Sequence, residues 1–204
     1  MATVPPNMTD PATLTPPVRP RNAAATRAAI LEAARVRFLL ESFDQVGVRQ
    51  IAGDAGVDAA LICRYFGSKE ELFAEVVATT GQDPMEVLAG DRDSFGMRVA
   101  KAMLDPEKPS HRDSVEFINI AVRSTMSAAA GERVRDYIES RFTIPFSQWL
   151  GGPNAVEKAW LTASVLMGVA IMRSIVCDPS AATEPKEATI ARLAAVLQGI
   201  VDSA

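Results

Sequence analysis

The 204-residue chain is 48% hydrophobic and 23% charged, with a net charge of −4, so it is long enough to bury a sizeable core. With a pI near 5.1 it has no overall attraction to a polyanion, which excludes coating of nucleic acid through net charge and leaves only local contact. Cys63 and Cys177 are the only cysteines and lack metal-ligand spacing, a usage that suits a reducing cytoplasm better than a secreted disulfide framework.

Residues 1–20 contain Pro5, Pro6, Pro11, Pro16, Pro17 and Pro20 and no charged start followed by an apolar run, which predicts a disordered Pro-rich tail and not a signal peptide. Arg19 and Arg21 read as the solvated end of that tail, the alternative being an arm that reaches a minor groove. From Thr26 to about Glu41, Ile30, Ala33, Ala34 and Phe38 recur at helical spacing. Two short helices follow, near Val48 to Ala55 and Ala59 to Tyr65. Gly56 between them can take the left-handed conformation that ends a helix, and Asp58 can cap the next one. Ser68 with Glu71 three residues on predicts a capping box for a fourth helix.

Beyond residue 80 helices are expected near 84–89 and 94–104, then a break at Pro106 and Pro109 before a further capping box at Ser110 to Asp113. Val115, Ile118 and Val122 set the face of the helix that follows. Gly131 is expected to open another, in which Val134, Ile138, Phe142 and Phe146 repeat every four residues and Pro145 introduces a kink. Gly151, Gly152 and Pro153 end it. Two long helices, near Asn154 to Val176 and Pro185 to Val201, close the chain. Residues 160–176 form the most apolar stretch, but Thr162, Ser164, Arg173 and Ser174 make it too polar and too short for a membrane span. No membrane partner is expected.

The fold class is therefore all-α: a three-helix helix-turn-helix unit over 21–67, then a helical bundle over 68–204 in which 68–81 is the connecting helix. Ile51, Ala52, Ala55, Val57, Ile62 and Phe66 are placed inward on Phe38 and Ile30, which leaves Asp58, Ala59, Ala60, Leu61, Cys63 and Arg64 outward. Such a face suits a major groove: Ala59 and Ala60 permit close approach, Leu61 can meet a thymine methyl, and Arg64 can pair with guanine or a phosphate. Backbone amides near Gly47 and Ser68, with Lys69 beside the latter, can accept phosphate oxygens. The complete set of expected DNA contacts is Gly47, Val48, Arg49, Asp58, Ala59, Ala60, Leu61, Cys63, Arg64, Tyr65 and Lys69.

Residues 30–77, with Ile51-Ala52 before the Gly56-Val57 turn and the run Tyr65-Phe66-Gly67-Ser68-Lys69-Glu70-Glu71-Leu72-Phe73, resemble the N-terminal domain of the TetR family of repressors. The resemblance implies a dimer formed by the last two helices, a central ligand cavity and a pseudo-palindromic double-stranded DNA operator. It implies no cofactor. Ser42, Gly47 and Cys63 depart from the glycine, threonine or serine, and tyrosine usual in the family, and Ala59 replaces a frequent lysine, so phosphate anchoring is expected to be weaker.

The residues expected at the subunit interface are Trp160, Ser164, Met167, Ile171, Ile190, Leu193 and Leu197. Phe95, Met103, Phe117, Met126, Phe142, Phe146, Trp149 and Met167 are candidates for lining a cavity for an apolar or aromatic effector, or are plain core. Arg123 is a candidate for an anionic group on such a ligand, or for a surface ion pair. Cys63 and His111 read as ordinary surface residues. No clustered metal ligands, no nucleophile with a base and no phosphate loop suggest an enzyme. The function expected is a cytoplasmic, one-component repressor released from DNA by a small ligand; the alternative is a dimeric α-helical ligand-binding or scaffold protein with weakened DNA binding.

Overall fold

The computed structural model describes residues 23–80, 88–105, 109–124, 126–173 and 187–203, with 109–114 by backbone alone. The Pro-rich tail, most of the helix expected at 84–89, Pro106, Cys177 and the start of the last helix at Pro185 lie outside the described residues, as do the side chains of the Ser110 to Asp113 box. Helices supply the regular structure among the described residues, and no strand occurs there. No helix there is long and apolar enough to cross a membrane.

The first four helices are α1 (Ala23–Leu40), α2 (Val48–Ala55), α3 (Ala60–Phe66) and α4 (Lys69–Thr80). The α1 face predicted from sequence is the one buried: Ile30, Ala34 and Phe38 are sealed against Ile51, Ala52, Ile62 and Phe66. Gly56 ends α2 with φ 64°, and the Val57 amide donates back to the Ala52 carbonyl at 3.0 Å, so the sharp turn between α2 and α3 depends on a residue free of a Cβ. Asp58 Oδ1 accepts from the Ala60 amide at 2.8 Å and starts α3. Of the Ser68 box, the serine half forms, with Glu71 N donating to Ser68 Oγ at 3.1 Å. The Glu71 carboxylate accepts from Arg133 at 2.5 Å, because a cationic partner on another helix is in reach.

The second part holds α5 (Phe95–Leu104, entered through a 3₁₀ turn at Arg92–Ser94), α6 (Pro109–Ser124), α7 (Ala128–Ile138), α8 (Ile144–Leu150), α9 (Ala155–Ile171) and α10 (Glu187–Asp202). Gly131 does not open α7: the helix begins at Ala128, and the Gly131 amide already donates to the Ser127 carbonyl at 2.8 Å. The break expected at Pro145 takes the form of a π turn at Glu139–Thr143, where Ile144 N–H reaches back five residues to the Glu139 carbonyl. A proline has no N–H for the carbonyl four residues earlier and its ring collides with that group, so the helix widens just ahead of it.

Two apolar clusters organise the molecule. The first runs from α1 through the α1–α2 turn, α2, α3 and α4 into Ile120 and Ala121 of α6 and Ala130 and Val134 of α7. The second joins α5, α8, α9 and α10 around Phe95, Leu104, Phe146, Ala159 and Leu197. Packing therefore continues across residue 67. Arg92 fastens the far end by donating to the carbonyls of Leu150 (3.0 Å) and Val201 (3.2 Å).

Helices α5 and α10 approach closely at Gly96. Its amide donates to Gln198 Oε1 at 2.9 Å, and a Cβ there would overlap the Ala194 carbonyl oxygen and lie 2.9 Å from Gln198 N. Backbone of two packed helices cannot yield cheaply. Gly96→Ala is therefore expected to lower the melting temperature, by about 2–4 °C for each kcal/mol lost in a chain of this size, although alanine outranks glycine in any helix. Gly53→Ala, where an added Cβ meets nothing within 4 Å, is expected to raise it; thermal melts of the two variants check both signs.

Candidate nucleic-acid interface

The surface formed by α2, α3 and the start of α4 is assembled from beneath. Phe38 of α1, Phe43 of the α1–α2 turn and Phe73 of α4 form a three-ring nest, with centroids 5.0 and 5.1 Å apart for the two edge-on pairs and 5.9 Å for the stacked pair. Val46, also buried in the turn, belongs to the same cluster. Above it, Gln50 Oε1 accepts from the Gly47 amide at 2.7 Å, while the Gln50 backbone amide, with no hydroxyl at Gly47 to accept it, donates to the Gly47 carbonyl at 3.0 Å.

Arginines of α1 hold this platform and are largely consumed in doing so. Arg37 grips Asp54 of α2 in a two-pronged pair at 2.5 and 3.0 Å and also reaches Glu41; its hydrogen bonds hold the Asp54 carboxyl below the usual carboxylate range. Arg27 pairs with Glu75 of α4 and lies 4.7 Å over the Phe66 ring of α3. Arg35 joins Glu32 (2.7 Å) and Glu116 of α6 (2.5 Å). The arginines of α1 thus leave less positive charge free at the surface than their number in the sequence suggests.

Exposed on this surface are Arg49 and Gln50 of α2 and Asp58, Ala60, Cys63, Arg64 and Gly67 in and around α3. Among the described residues Arg49 and Arg64 form no ion pair. Gly47, Val48, Ala59 and Tyr65 are half-buried, and Leu61, read from the sequence as exposed, is half-buried and packed on the core with Ala59 and Tyr65. A seven-residue helix offers only a narrow outer strip. Cys63 is an exposed free thiol.

Lys69 departs furthest from its expected role. Its ammonium donates to the carbonyls of Phe43 at 2.9 Å and Val46 at 3.0 Å and sits 4.0 Å over the Phe43 ring. Two of its three donors therefore bind the start of α4 to the turn that leads into α2. The two helix starts that can offer amides to phosphates, near Gly47 and Ser68, are fixed to one another by this side chain. Sequence spacing could not reveal this, since the partners are carbonyls more than 20 residues away; the apolar Phe43 and Val46 inside a supposed connector were the available sign.

The structure separates the proposed cavity residues. Phe95, Met103, Phe142, Phe146 and Trp149 share the second cluster, whereas Phe117 meets Tyr137 in a tilted ring pair against the first. Arg123 is exposed, Met167 is half-buried, and Met126 is 94% exposed in the α6–α7 turn, so it is no part of a lining. The interface candidates divide too. Trp160 and Ser164 are exposed, Met167, Ile171 and Ile190 half-buried, but Leu193 and Leu197 are buried in the protomer's own second cluster because the inner face of α10 packs on α5. Among the described residues no group of His, Cys, Asp and Glu could hold a metal ion.

Two family models match the chain: "Bacterial regulatory proteins, tetR family" over residues 30–76 and "Tetracyclin repressor-like, C-terminal domain" over residues 93–201. Among solved structures, a TetR-family regulator from Streptomyces coelicolor is 26% identical over 88% of this chain and 96% of its own, with a TM-score of 0.56. NalD, the secondary repressor of the MexAB-OprM multidrug efflux pump in Pseudomonas aeruginosa, is 19% identical over 86% and 96%, with a TM-score of 0.63. A transcriptional regulator from Rhodococcus sp. is 20% identical over 88% and 95%, with a TM-score of 0.59. The last two likenesses concern the fold. No curated protein sequence matches the chain.

The geometry of Lys69 distinguishes a clamp from a phosphate contact. Lys69→Met retains the stem over Phe43 and removes the donors; DNA affinity is expected to fall by roughly tenfold at every sequence, with the slope of log K against log salt unchanged. A slope shallower by about 0.9, the signature of one lost phosphate contact, would contradict the clamp. Fluorescence anisotropy across a salt series reads both.

Proposed function

The chain belongs to the TetR family of DNA-binding bacterial regulators, and we propose that it acts as a homodimeric repressor released from operator DNA by a small apolar or aromatic ligand. The observation that carries the DNA-reading part is the rigid mounting of α3: its inner residues Ile62 and Phe66 are buried, its turn is set by Gly56, and its outer strip of Ala60, Cys63 and Arg64 is open. Small residues permit close approach to a major groove, and Arg64 and Arg49 supply base-edge or phosphate contacts. With so few cations per protomer, useful affinity requires two copies binding together, so that the second contact is intramolecular.

The surface for that second copy is read from α9 and α10. Along α9, Val156, Trp160, Ser164 and Gly168 recur every fourth residue, all exposed, with Leu161 beside them. Val156, Trp160 and Leu161 are 58%, 48% and 51% exposed. On α10, Ala191, Ala195, Val196 and Gly199 are exposed on the side away from Leu197. Large apolar groups flanking small ones suit a close antiparallel or crossed helix contact between identical chains. Two recognition helices related by a two-fold axis would then read half-sites one or more helical turns apart.

For the ligand, support comes from the aromatic group Phe95, Phe142, Phe146 and Trp149, whose centroids lie 4.9–5.6 Å apart where paired, with half-buried Met103 and Leu166 beside it. Flat aromatic walls with an adaptable methionine suit an apolar guest. Differential binding of that guest to the DNA-bound and free arrangements is what would release the operator.

Leu161→Arg tests the assembly. Light scattering is expected to report a monomer, and anisotropy on DNA flanking the chain's own gene at least 100-fold weaker binding than wild type. A variant that remains dimeric, or a monomer that binds as tightly as wild type, contradicts the proposal.

A further inference from the structure

Among the described residues two buried side-chain oxygens have no hydrogen-bond partner: Ser124 Oγ and Thr143 Oγ1. Thr143 is the informative one. Threonine inside a helix ordinarily satisfies its hydroxyl by donating to the carbonyl four residues back, and this chain does so at Thr79 (2.8 Å to Glu75 O), Thr80 (2.7 Å to Val76 O) and Thr162 (2.8 Å to Lys158 O). Thr143, at the end of the π turn in which the Ile144 amide reaches back to the Glu139 carbonyl, makes no such bond. The residue is turned inward, 4% exposed, in a turn that packs against α9. Its neighbours in the chain, Phe142 and Phe146, belong to the aromatic group. A buried donor left without a partner is costly, and single π turns occur frequently at functional sites.

We propose that the Thr143 hydroxyl is the polar anchor of the effector site, taking an aromatic ligand that carries one uncharged oxygen. The inference rests on the reading of the second cluster as a ligand site and specifies its chemistry. The oxygen is uncharged because the anchor is itself a neutral hydroxyl, and one neutral donor does not offset a buried negative charge. The aromatic body follows from Phe95, Phe142, Phe146 and Trp149, which offer ring faces and edges. Pro145 sets the arrangement by forcing the π turn.

The test uses two probes of nearly equal shape, 2-naphthol and naphthalene, titrated into the full-length protein and into Thr143→Val, with tryptophan fluorescence as readout. Valine keeps the shape of the side chain and removes the hydroxyl. Wild type is expected to bind 2-naphthol about tenfold more tightly than naphthalene, and Thr143→Val to bind the two alike. An undiminished preference in Thr143→Val overturns the role of Thr143 while leaving the aromatic site intact. Saturable binding of neither probe by wild type overturns the aromatic site itself, and the anchor with it.

Discussion

The burial of α4 on two sides is the constraint on which the other features depend. Leu72, Phe73, Val76 and Val77 are sealed almost completely, packed with the helix-turn-helix and with Ile120, Ala121, Ala130 and Val134 of α6 and α7. Each such side chain contributes about 1.5–3 kcal/mol, so the DNA-facing unit is joined to the rest through a shared apolar core. Three polar ties ring this contact: Arg35 with Glu116, Arg133 with Glu71, and Ser127 Oγ donating to Asp44 at 2.9 Å. Partly exposed ion pairs add little stability and are screened by salt. Their value is directional, since each ties a point of α1, the α1–α2 turn or α4 to α6, α7 or the turn between them.

The same economy shapes the DNA surface. An acidic chain can touch DNA only where its cations remain unspent, and α1 spends three arginines on Glu75, Glu32, Glu116, Asp54 and Glu41. Lys69 is spent on carbonyls. Under the proposed function, this arrangement favours accurate placement of a few contacts over broad electrostatic adhesion: little non-specific affinity, with specificity assigned to α3, Arg49, Arg64 and the spacing between two copies.

What could be read in the sequence is what depends on neighbours in the chain. The ends of α2, the left-handed Gly56, the Asp58 cap and the inward set Ile51, Ala52, Ile62 and Phe66 all follow from local conformational preference and helical period. Choices among distant partners could not be read this way. Periodicity showed that α10 has an apolar face but not that Leu193 and Leu197 point to α5 and not to a second chain. A methionine six residues past Ile120 looked like core, yet Met126 falls on a turn and is solvated. Helical period does not pick out Thr143, because the widening of the helix ahead of Pro145 changes which residue faces inward. Lys69 carried a charge of the expected sign at the expected place, and only three-dimensional proximity to Phe43 and Val46 changed its role.

Under the proposed function, two rigidly mounted α3 helices read DNA as a pair. Selection of bound duplexes from a random-sequence library by the full-length protein measures it directly. The account predicts enrichment of an inverted repeat whose half-sites are centred about 10 base pairs or a multiple of that apart. Enrichment of no motif, or of a single unrepeated half-site, would contradict it.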